Sequence, residues 1–308
     1  TGLVADGMAS EEVKSSEVAA DERILFDASA PLMAADMAAA VTAERPADAP
    51  AMRVSRLMGG EALLIHDFLT AEECRRLIAG CDDAGWVPAS LRRDVRDCGK
   101  CYLRGDGVAA AMWARLRPLL AGEAMASLKG KESTAQLGFD AEGSWAACGL
   151  NEVLRFNRYK PGGHFGPHCD ASFTRHEDER SAVTFFVYLN GDGRDHADDG
   201  DDDGDVDGGD VDGRIGGGAT LFLRDTARLR RDEADPEGRY HASPDDVVHA
   251  VRPCRGALLL FRQRTVLHAG ELLTRGRKYI MRSDVMFARD AGSKPARTPA
   301  QLEALALM

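Results

Sequence analysis

The pattern of apolar and polar positions changes at Asn151. Ahead of it the spacing is mainly helical: Thr70-Ala71-Glu72-Glu73 has the form of a capping box. The apolar positions that follow it fall on one helical face, namely Cys74, Leu77, Ile78 and Cys81. We therefore predict a helix from Ala71, preceded by a strand over Ala62–Phe68 and followed by a second helix over Val108–Leu120.

After Asn151 the pattern becomes that of short strands. Ala182–Asn190 alternates most clearly, with Val183, Phe185, Val187 and Leu189 on one face and Thr184, Phe186 and Tyr188 on the other. Further strands are predicted at Glu152–Lys160, Ala219–Leu223, Val247–Val251, Ala257–Phe261 and Tyr279–Phe287. Several short strands separated by turn signals indicate a β-sandwich or jelly roll, with the helices packed outside it. The predicted fold class is thus mainly β with flanking helices (α+β).

Composition divides the chain into three parts. Residues 1–52 are rich in Ala, Glu, Asp and Pro, and we expect a disordered segment with a short helix around Met33–Val41. Residues 53–290 are predicted to form one domain and residues 291–308 a tail. Inside the domain, residues 192–218 form an acidic insertion of Asp and Gly, which we expect to be solvated. A calcium loop is the less favoured interpretation, because neither an EF-hand spacing nor a closing Glu is present.

Charge and cysteine usage restrict the function classes. The 308-residue chain has a formal net charge of −11, which argues against a general nucleic-acid binder. The chain has no run of 18 or more apolar residues, so we predict no membrane span. No leader sequence is apparent, and the compartment is not indicated. The seven cysteines are scattered. For the one close pair, Cys98 and Cys101, free thiols or a local bridge are favoured over a zinc or redox role.

The tripeptide His168-Cys169-Asp170 is the main candidate for chemistry. On a strand this spacing points the imidazole and the carboxylate to the same face, with Cys169 pointing away. His268 would add a second imidazole. Two histidines and one carboxylate leave the remaining positions of a metal open, as non-haem Fe(II) requires for a co-substrate and dioxygen. Taken singly, each histidine is better explained as an ordinary strand or core residue.

Several stretches together resemble the Fe(II)/2-oxoglutarate dioxygenases, specifically the prolyl 4-hydroxylase-like branch. The resemblance extends from about Leu63 to Phe287. The stretches are Arg158-Tyr159-Lys160-Pro161-Gly162-Gly163, Pro167-His168-Cys169-Asp170, Gly217-Gly218-Ala219-Thr220, His268-Ala269-Gly270-Glu271 and Gly276-Arg277-Lys278-Tyr279. This resemblance implies a double-stranded β-helix, a jelly-roll or cupin-like core, with iron at its open end.

The resemblance also implies roles for particular residues. His168, Asp170 and His268 would bind Fe(II), and the far carboxylate of 2-oxoglutarate would pair with Lys278, ten positions after the distal histidine. Arg277 is the competing cation. Alternation favours Lys278, because Arg277 shares its face with apolar residues such as Tyr279, whereas Lys278 shares the more polar face.

Further residues are expected around the co-substrate and the substrate. Tyr159 and Tyr188 fall where the family places tyrosines that hydrogen-bond the co-substrate, and Thr184 is a further candidate. A threonine in a strand also follows from β-propensity alone. Candidates for the substrate mouth are Arg155, Asn157 and Arg282, for which a surface or ion-paired role is an equal alternative. His164, His176, His196, His241 and His249 are predicted not to be ligands.

The implied reaction is hydroxylation of an unactivated C–H bond, with release of succinate and CO2 and with ascorbate as reductant. The family branch suggests a peptidyl proline, and hence a protein or peptide substrate together with O2, without nucleic acid. A small-metabolite hydroxylase remains open. So does a catalytically silent barrel that acts as a binding module, although the intact ligand set argues against it. Phe165, where collagen-type relatives often have a tyrosine, puts collagen-like substrates in doubt.

Overall fold

The computed structural model describes residues 30–34, 37, 39–194, 214–227, 230–231 and 235–295. Its α-helices are α1 (Ala71–Ala84), α2 (Asp106–Leu120) and α3 (Lys131–Thr134). In chain order, the first strands are β1 (Arg53–Leu57), β2 (Ala62–His66), β3 (Val87–Pro88), β4 (Arg96–Asp97), β5 (Gly99–Arg104), β6 (Ser127–Lys129), β7 (Ser144–Leu150), β8 (Val153–Tyr159), β9 (His164–His168) and β10 (Thr174–His176).

The remaining strands follow the same numbering. They are β11 (Glu179–Tyr188), β12 (Gly216–Gly217), β13 (Thr220–Leu223), β14 (Arg230–Arg231), β15 (Tyr240–His241), β16 (Val247–Val251), β17 (Leu258–Arg262), β18 (His268–Gly270), β19 (Leu273–Arg275) and β20 (Lys278–Arg289). Each strand predicted after Asn151 is confirmed, with ends that differ by at most three residues. Among the described helices, none combines the length and apolar character needed to cross a membrane.

Two antiparallel sheets form the architecture. The larger sheet has the path β1-β2-β17-β11-β20-β8-β5-β3, and the smaller one has the order β16-β13-β18-β9-β4. The hydroxyl of Tyr188 in the larger sheet donates to Thr220 Oγ1 in the smaller sheet at 2.6 Å. The rings of Phe222 and Phe261 meet edge to face across the same gap. The mainly β class and the jelly-roll-like pairing of two sheets are therefore confirmed.

The alternation along β11 assigns its two faces to two hydrophobic cores. Val183, Phe185 and Val187 pack into the larger core, which also includes the buried faces of α1 and α2. Phe186 and Tyr188 belong to the smaller core between the two sheets. Because successive side chains of β11 point to opposite faces, one face packs under the helices and the other is directed towards the second sheet.

The predicted helix start at Thr70 is confirmed in atomic detail. Thr70 Oγ1 accepts from the Glu73 backbone N–H at 3.2 Å, and the Glu73 carboxylate accepts from the Thr70 N–H at 2.8 Å. Glu73 also pairs with Arg115 of α2, at 2.5 Å and 3.0 Å. A capping box at the helix surface thus extends into a buried ion pair that fixes α1 to α2.

Packing extends ahead of residue 53, where the domain was predicted to begin. Met33, Ala40 and Val41 are buried in the larger core. The Met33 N–H donates to the Tyr102 carbonyl at 2.8 Å. The domain boundaries stay a prediction, as does the short helix around Met33–Val41, because residues 35, 36 and 38 lie outside the described residues.

Cys98 and Cys101 do not face each other in the way that their spacing suggests. Cys98 lies in the smaller core and Cys101 in the larger one, on opposite sides of the sheet. Both are free thiols, as are the other five cysteines. Of the two favoured interpretations, free thiols and a local bridge, the structure shows free thiols, and the absence of a zinc or redox role stays a prediction. Most of the acidic insertion, residues 195–213, lies outside the described residues, and so does His196.

Candidate active site

Three donors converge where β9 and β18 lie side by side in the smaller sheet. His168 and His268 are direct neighbours in the pairing of these strands. β9 ends at His168, so Asp170 lies just beyond the strand, with Cys169 exposed between the two donors. One ligand atom from each of His168, Asp170 and His268 lies within 4.8 Å of the others. Within the described part of the chain, this is the one such group of three or more potential metal ligands.

Backbone contacts orient both imidazoles for metal binding. His168 Nδ1 lies 2.8 Å from the Gly166 carbonyl, and His268 Nδ1 lies 3.1 Å from the Val266 carbonyl. A carbonyl only accepts, so each Nδ1 carries the hydrogen and each Nε2 keeps its lone pair. These Nε2 atoms face Asp170, at 3.6 Å and 3.8 Å. The two Nε2 atoms that could bind a metal therefore point towards the same position beside Asp170.

The carboxylate between the imidazoles is held by two further side chains. Thr184 Oγ1 donates to Asp170 Oδ2 at 2.6 Å, and Arg282 lies 2.8 Å from Oδ1. Burial acts to raise the pKa of Asp170, but the charge of Arg282 and the two imidazoles outweigh it. The pKa of Asp170 thus lies well below its ordinary value. Asp170 is a carboxylate, as a metal ligand must be.

The buried histidine is held neutral. Burial, followed by the neighbouring His168, lowers the pKa of His268 to about 4, although Asp170 acts in the opposite direction. An uncharged imidazole is the form that binds a metal. The ring of Phe165 stacks on His168 with 3.6 Å between ring centroids, which restricts the orientation of the second imidazole.

Lys278 occupies the same cavity as the three donors. Its ammonium donates to the Gly218 carbonyl at 2.6 Å, and burial lowers the pKa of Lys278 to about 8. Among the described residues, no carboxylate lies within ion-pair distance of it. A buried ammonium without a counter-charge is costly, so this position suits the carboxylate of a bound molecule. Arg277 is outside the cavity lining, as the alternation predicted.

The Gly217-Gly218 motif explains how the loop approaches Lys278. Gly218 has φ of +70°, a conformation that L side chains rarely adopt. A Cβ at Gly218 would lie 2.8 Å from Leu273 Cδ1 and 3.4 Å from Lys278 Cδ. Glycine therefore allows the backbone carbonyl to reach the ammonium at this point.

The other predicted co-substrate residues lie at different depths. Tyr159 lines the cavity, and its ring centroid is 5.2 Å from Lys278 Nζ. Tyr188 is fully buried, and its hydroxyl contacts Thr220 and the Val251 carbonyl. Thr184 lies behind Asp170 rather than in the lining. The roles of these three residues in co-substrate binding stay predictions.

The candidates for the substrate mouth separate in the structure. Asn157 and Arg282 line the cavity. Arg155 instead pairs with the buried Asp284 at 2.5 Å. Arg96, which also lines the cavity, was missed. It lies on a two-residue strand inside a polar stretch, where neither periodicity nor a motif marks it.

The four described histidines that were predicted not to be ligands have other surroundings than the candidate metal site. His164 Nε2 contacts the Asp94 carbonyl, His176 is exposed near Glu179, and His241 contacts Asp235. His249 stacks on Phe222. None of these four belongs to a group of potential metal ligands among the described residues.

A family model with the description 2OG-Fe(II) oxygenase superfamily matches residues 154–283. The matched region contains every residue predicted for metal and co-substrate binding. A search of curated proteins found no match.

Solved structures with a similar fold include three prolyl hydroxylases. One is the viral collagen prolyl hydroxylase of Paramecium Bursaria Chlorella virus-1, with 18% identity over 75% of this chain and 97% of that chain and a TM-score of 0.43. A prolyl-4-hydroxylase from Pseudomonas putida has 20% identity over 75% and 94%, with a TM-score of 0.40. A prolyl hydroxylase from Trichoplax adhaerens, in complex with a hypoxia inducible factor peptide fragment, has 15% identity over 73% and 84%, with a TM-score of 0.41.

The family match and the convergence of the three donors concern the same residues. Residues 154–283, the part of the chain in which His168, Asp170 and His268 converge, are thus similar to the 2OG-Fe(II) oxygenase superfamily.

Proposed function

We propose that this enzyme hydroxylates an unactivated C–H bond of a peptidyl proline, with Fe(II) and 2-oxoglutarate, and releases succinate and CO2. One observation supports it above the others. The donors of His168, Asp170 and His268 lie within 4.8 Å of one another. Lys278 is buried in the same cavity, and no carboxylate of the described residues pairs with its ammonium. A metal site beside a buried cation suits a co-substrate that has a metal-chelating end and a distal carboxylate.

The donor set fits Fe(II). Two neutral imidazoles and one carboxylate leave part of the coordination sphere open, which is the arrangement of non-haem Fe(II) oxygenases. When bound, the iron and 2-oxoglutarate supply the oxidising chemistry. Thr184 and Arg282 hold the carboxylate, and the carbonyls of Gly166 and Val266 fix the imidazoles.

Lys278 is the residue that would hold the distal carboxylate of 2-oxoglutarate. An ion pair would supply the counter-charge that the buried ammonium lacks, and Tyr159 lies beside it in the lining. We propose hydrogen bonds to the co-substrate from Tyr159 and, less directly placed, from Tyr188 and Thr184. Ascorbate is the reductant expected for an enzyme of this kind.

The surroundings of the cavity support a peptide as substrate. A second, larger hollow shares Phe165, Ala269 and Gly270 with the cavity. A chain that places one residue near the metal can therefore continue into the hollow. The resemblance of the motifs to the prolyl 4-hydroxylase-like branch supports proline as the hydroxylated residue.

The proposal is tested by succinate formation in the purified enzyme with Fe(II), 2-oxoglutarate and ascorbate, with and without proline-containing peptides. His168→Ala is expected to lower succinate formation by about 10³-fold or more, because removal of one metal ligand dismantles the site. His176→Ala removes an exposed histidine and serves as the matched control.

Mass spectrometry of the peptides identifies the product. A gain of one oxygen on proline supports the proposal. Succinate formation without peptide oxidation would direct the search to a small metabolite. Absence of both, in a protein that still binds 2-oxoglutarate, would favour a catalytically silent binding barrel.

A further inference from the structure

The cavity has more cationic side chains than its proposed contents require. Arg96, Lys278 and Arg282 line it, whereas Asp170 is the one carboxylate among the described residues of the lining. A divalent metal and a dicarboxylate bring equal and opposite charges, and the metal-binding imidazoles are neutral. Binding of both therefore leaves the excess of positive charge unchanged. Lys278 is buried, and Arg96 and Arg282 are half-buried, so that the excess of positive charge favours the binding of another anion.

Two of the three cations already have a counter-charge. Arg282 pairs with Asp170 at 2.8 Å, and the proposed function gives Lys278 the distal carboxylate of 2-oxoglutarate. Arg96 differs from both. Among the described residues, no carboxylate lies within 4.0 Å of its guanidinium. Its neighbouring acidic residues are occupied, because Asp94 pairs with Arg92, and Asp97 pairs with Arg93.

The side chain of Arg96 is nevertheless held in a fixed place. Its Nε lies 3.4 Å from Cys98 Sγ, and its guanidinium carbon lies 4.5 Å from the ring centroid of Phe165. β4 pairs with β9 so that Arg96 and Phe165 are direct cross-strand neighbours. Phe165 in turn stacks on His168. The guanidinium and the metal-binding His168 thus contact the same ring, Phe165, and no hydrogen bond from a terminal nitrogen of Arg96 is found among the described residues.

The position of Phe165 connects Arg96 to the path of a substrate. Phe165 lines both the cavity and the larger hollow, so a chain that passes from one to the other contacts its ring. The charged groups of the hollow are largely paired, as in Arg239 with Asp235 and Arg252 with Glu271. Arg96 is therefore the cation best placed to select a substrate by charge.

We propose that Arg96 binds an acidic side chain next to the target residue, so that the preferred substrate is a peptide with Asp or Glu beside the hydroxylated proline. This inference rests on the proposed function and specifies its substrate. A planar guanidinium binds a carboxylate through two parallel hydrogen bonds, and a ring beneath it limits its freedom. Arg96 is thus a specificity-determining residue and takes no part in the oxidation itself.

The test uses two peptides that differ only in charge: Ala-Gly-Asp-Pro-Asp-Gly-Ala and its isostere Ala-Gly-Asn-Pro-Asn-Gly-Ala, each with a fluorescent label. Fluorescence anisotropy measures their binding to the full chain without added metal, and proline oxidation is measured separately with the complete reaction mixture. Wild type is expected to bind the Asp peptide about tenfold or more tightly than the Asn peptide. The preference should weaken as salt is added.

Substitutions then assign the preference to one side chain. Arg96→Gln should lower the ratio of the two affinities to about one, and Arg96→Lys should keep part of it, since a charge remains without the planar fork. Arg104→Gln, which removes an exposed arginine from β5 outside the cavity lining, should keep the wild-type ratio. Equal binding of both peptides by wild type, binding of neither, or a ratio unchanged in Arg96→Gln would overturn the inference.

The two readouts separate this inference from the proposed function. An Arg96-dependent preference in binding, without oxidation of either peptide, would support the specificity of the site and contradict prolyl hydroxylation. Oxidation of both peptides with equal kcat/KM, and no difference in binding, would support the hydroxylase and contradict the role of Arg96.

Discussion

Two buried cations occupy opposite sides of the larger sheet, and only one has a carboxylate partner. Arg115, under the helices, meets both oxygens of Glu73 and the Phe68 carbonyl. Lys278, in the cavity between the sheets, donates to the Gly218 carbonyl and has no carboxylate partner among the described residues. The first charge is compensated by the fold itself. The second becomes compensated only when a ligand binds, which separates a structural ion pair from a binding site.

The surroundings of the two cations account for this difference. Glu73 and Arg115 lie on helices that pack face to face, so both charges are enclosed by the same contact. Lys278 lies on a strand whose inner face borders an open cavity. Burial lowers its pKa to about 8, and distant Glu271 opposes that shift only in part. Experiments that remove or supply a counter-charge on each side of the sheet test whether the two cations differ in this way.

The largest effect on stability is expected for Glu73→Gln. This change keeps the shape of the side chain but leaves the Arg115 charge buried without a partner. We expect a loss of about 3 kcal/mol or more in the free energy of unfolding, measured by denaturant titration. Glu72→Gln, on the same turn but in an exposed pair with Arg75 and Arg76, is the control and should change little. Equal effects of the two changes would contradict a special role for the buried pair.

Removal of the Lys278 charge should increase the free energy of unfolding, whereas the loss of Glu73 should decrease it. Lys278→Met removes an uncompensated ammonium, so we expect a gain of up to about 3 kcal/mol in the free energy of unfolding at neutral pH. The same change should weaken 2-oxoglutarate binding by about 100-fold, measured by calorimetry. Lys160→Met, at an exposed lysine, should show neither effect. A destabilised Lys278→Met protein would mean that the fold needs this charge.

The smallest expected effect is the pH dependence of co-substrate binding. The pKa of Lys278 in the free enzyme is about 8, lowered from 10.5 by burial, and only the charged form attracts a carboxylate. Affinity for 2-oxoglutarate should thus be constant below pH 7 and about tenfold weaker at pH 9 than at pH 7. In the same range the unfolding free energy of the ligand-free protein should rise with pH, because the unfolded chain binds more protons. A flat affinity profile from pH 7 to 9 would show that Lys278 stays fully charged.

Much of the fold follows from local patterns. The capping box at Thr70 and the alternation along β11 depend on near neighbours in sequence, and both appear in the structure as predicted. The spacing of His168 and Asp170 predicted that two donors lie together, and the family resemblance added His268, which the pairing of β9 and β18 places beside them. The choice of Lys278 over Arg277 likewise followed from a period of two.

Other features depend on contacts between distant segments and left no local signal. Arg115 lies on the buried face of α2, but its partner Glu73 is 42 residues away. Arg96 becomes a cavity residue only because β4 pairs with β9. Cys98 and Cys101 are separated because the sheet that contains β5 divides the two cores. Such long-range pairings set which polar residues meet, and a single sequence does not state them.

The contact between Arg282 and Asp170 bears on the order in which the enzyme is assembled. Small zinc domains fold only when the metal arrives, since their ligands otherwise remain an uncompensated cluster. In this cavity Arg282 already lies 2.8 Å from the ligand carboxylate, and Thr184 donates to its other oxygen. The newly made chain has the internal counter-ion that it needs to reach its final shape. We therefore expect the protein to fold without its metal, so that a metal can bind to, and leave, a molecule that is already folded.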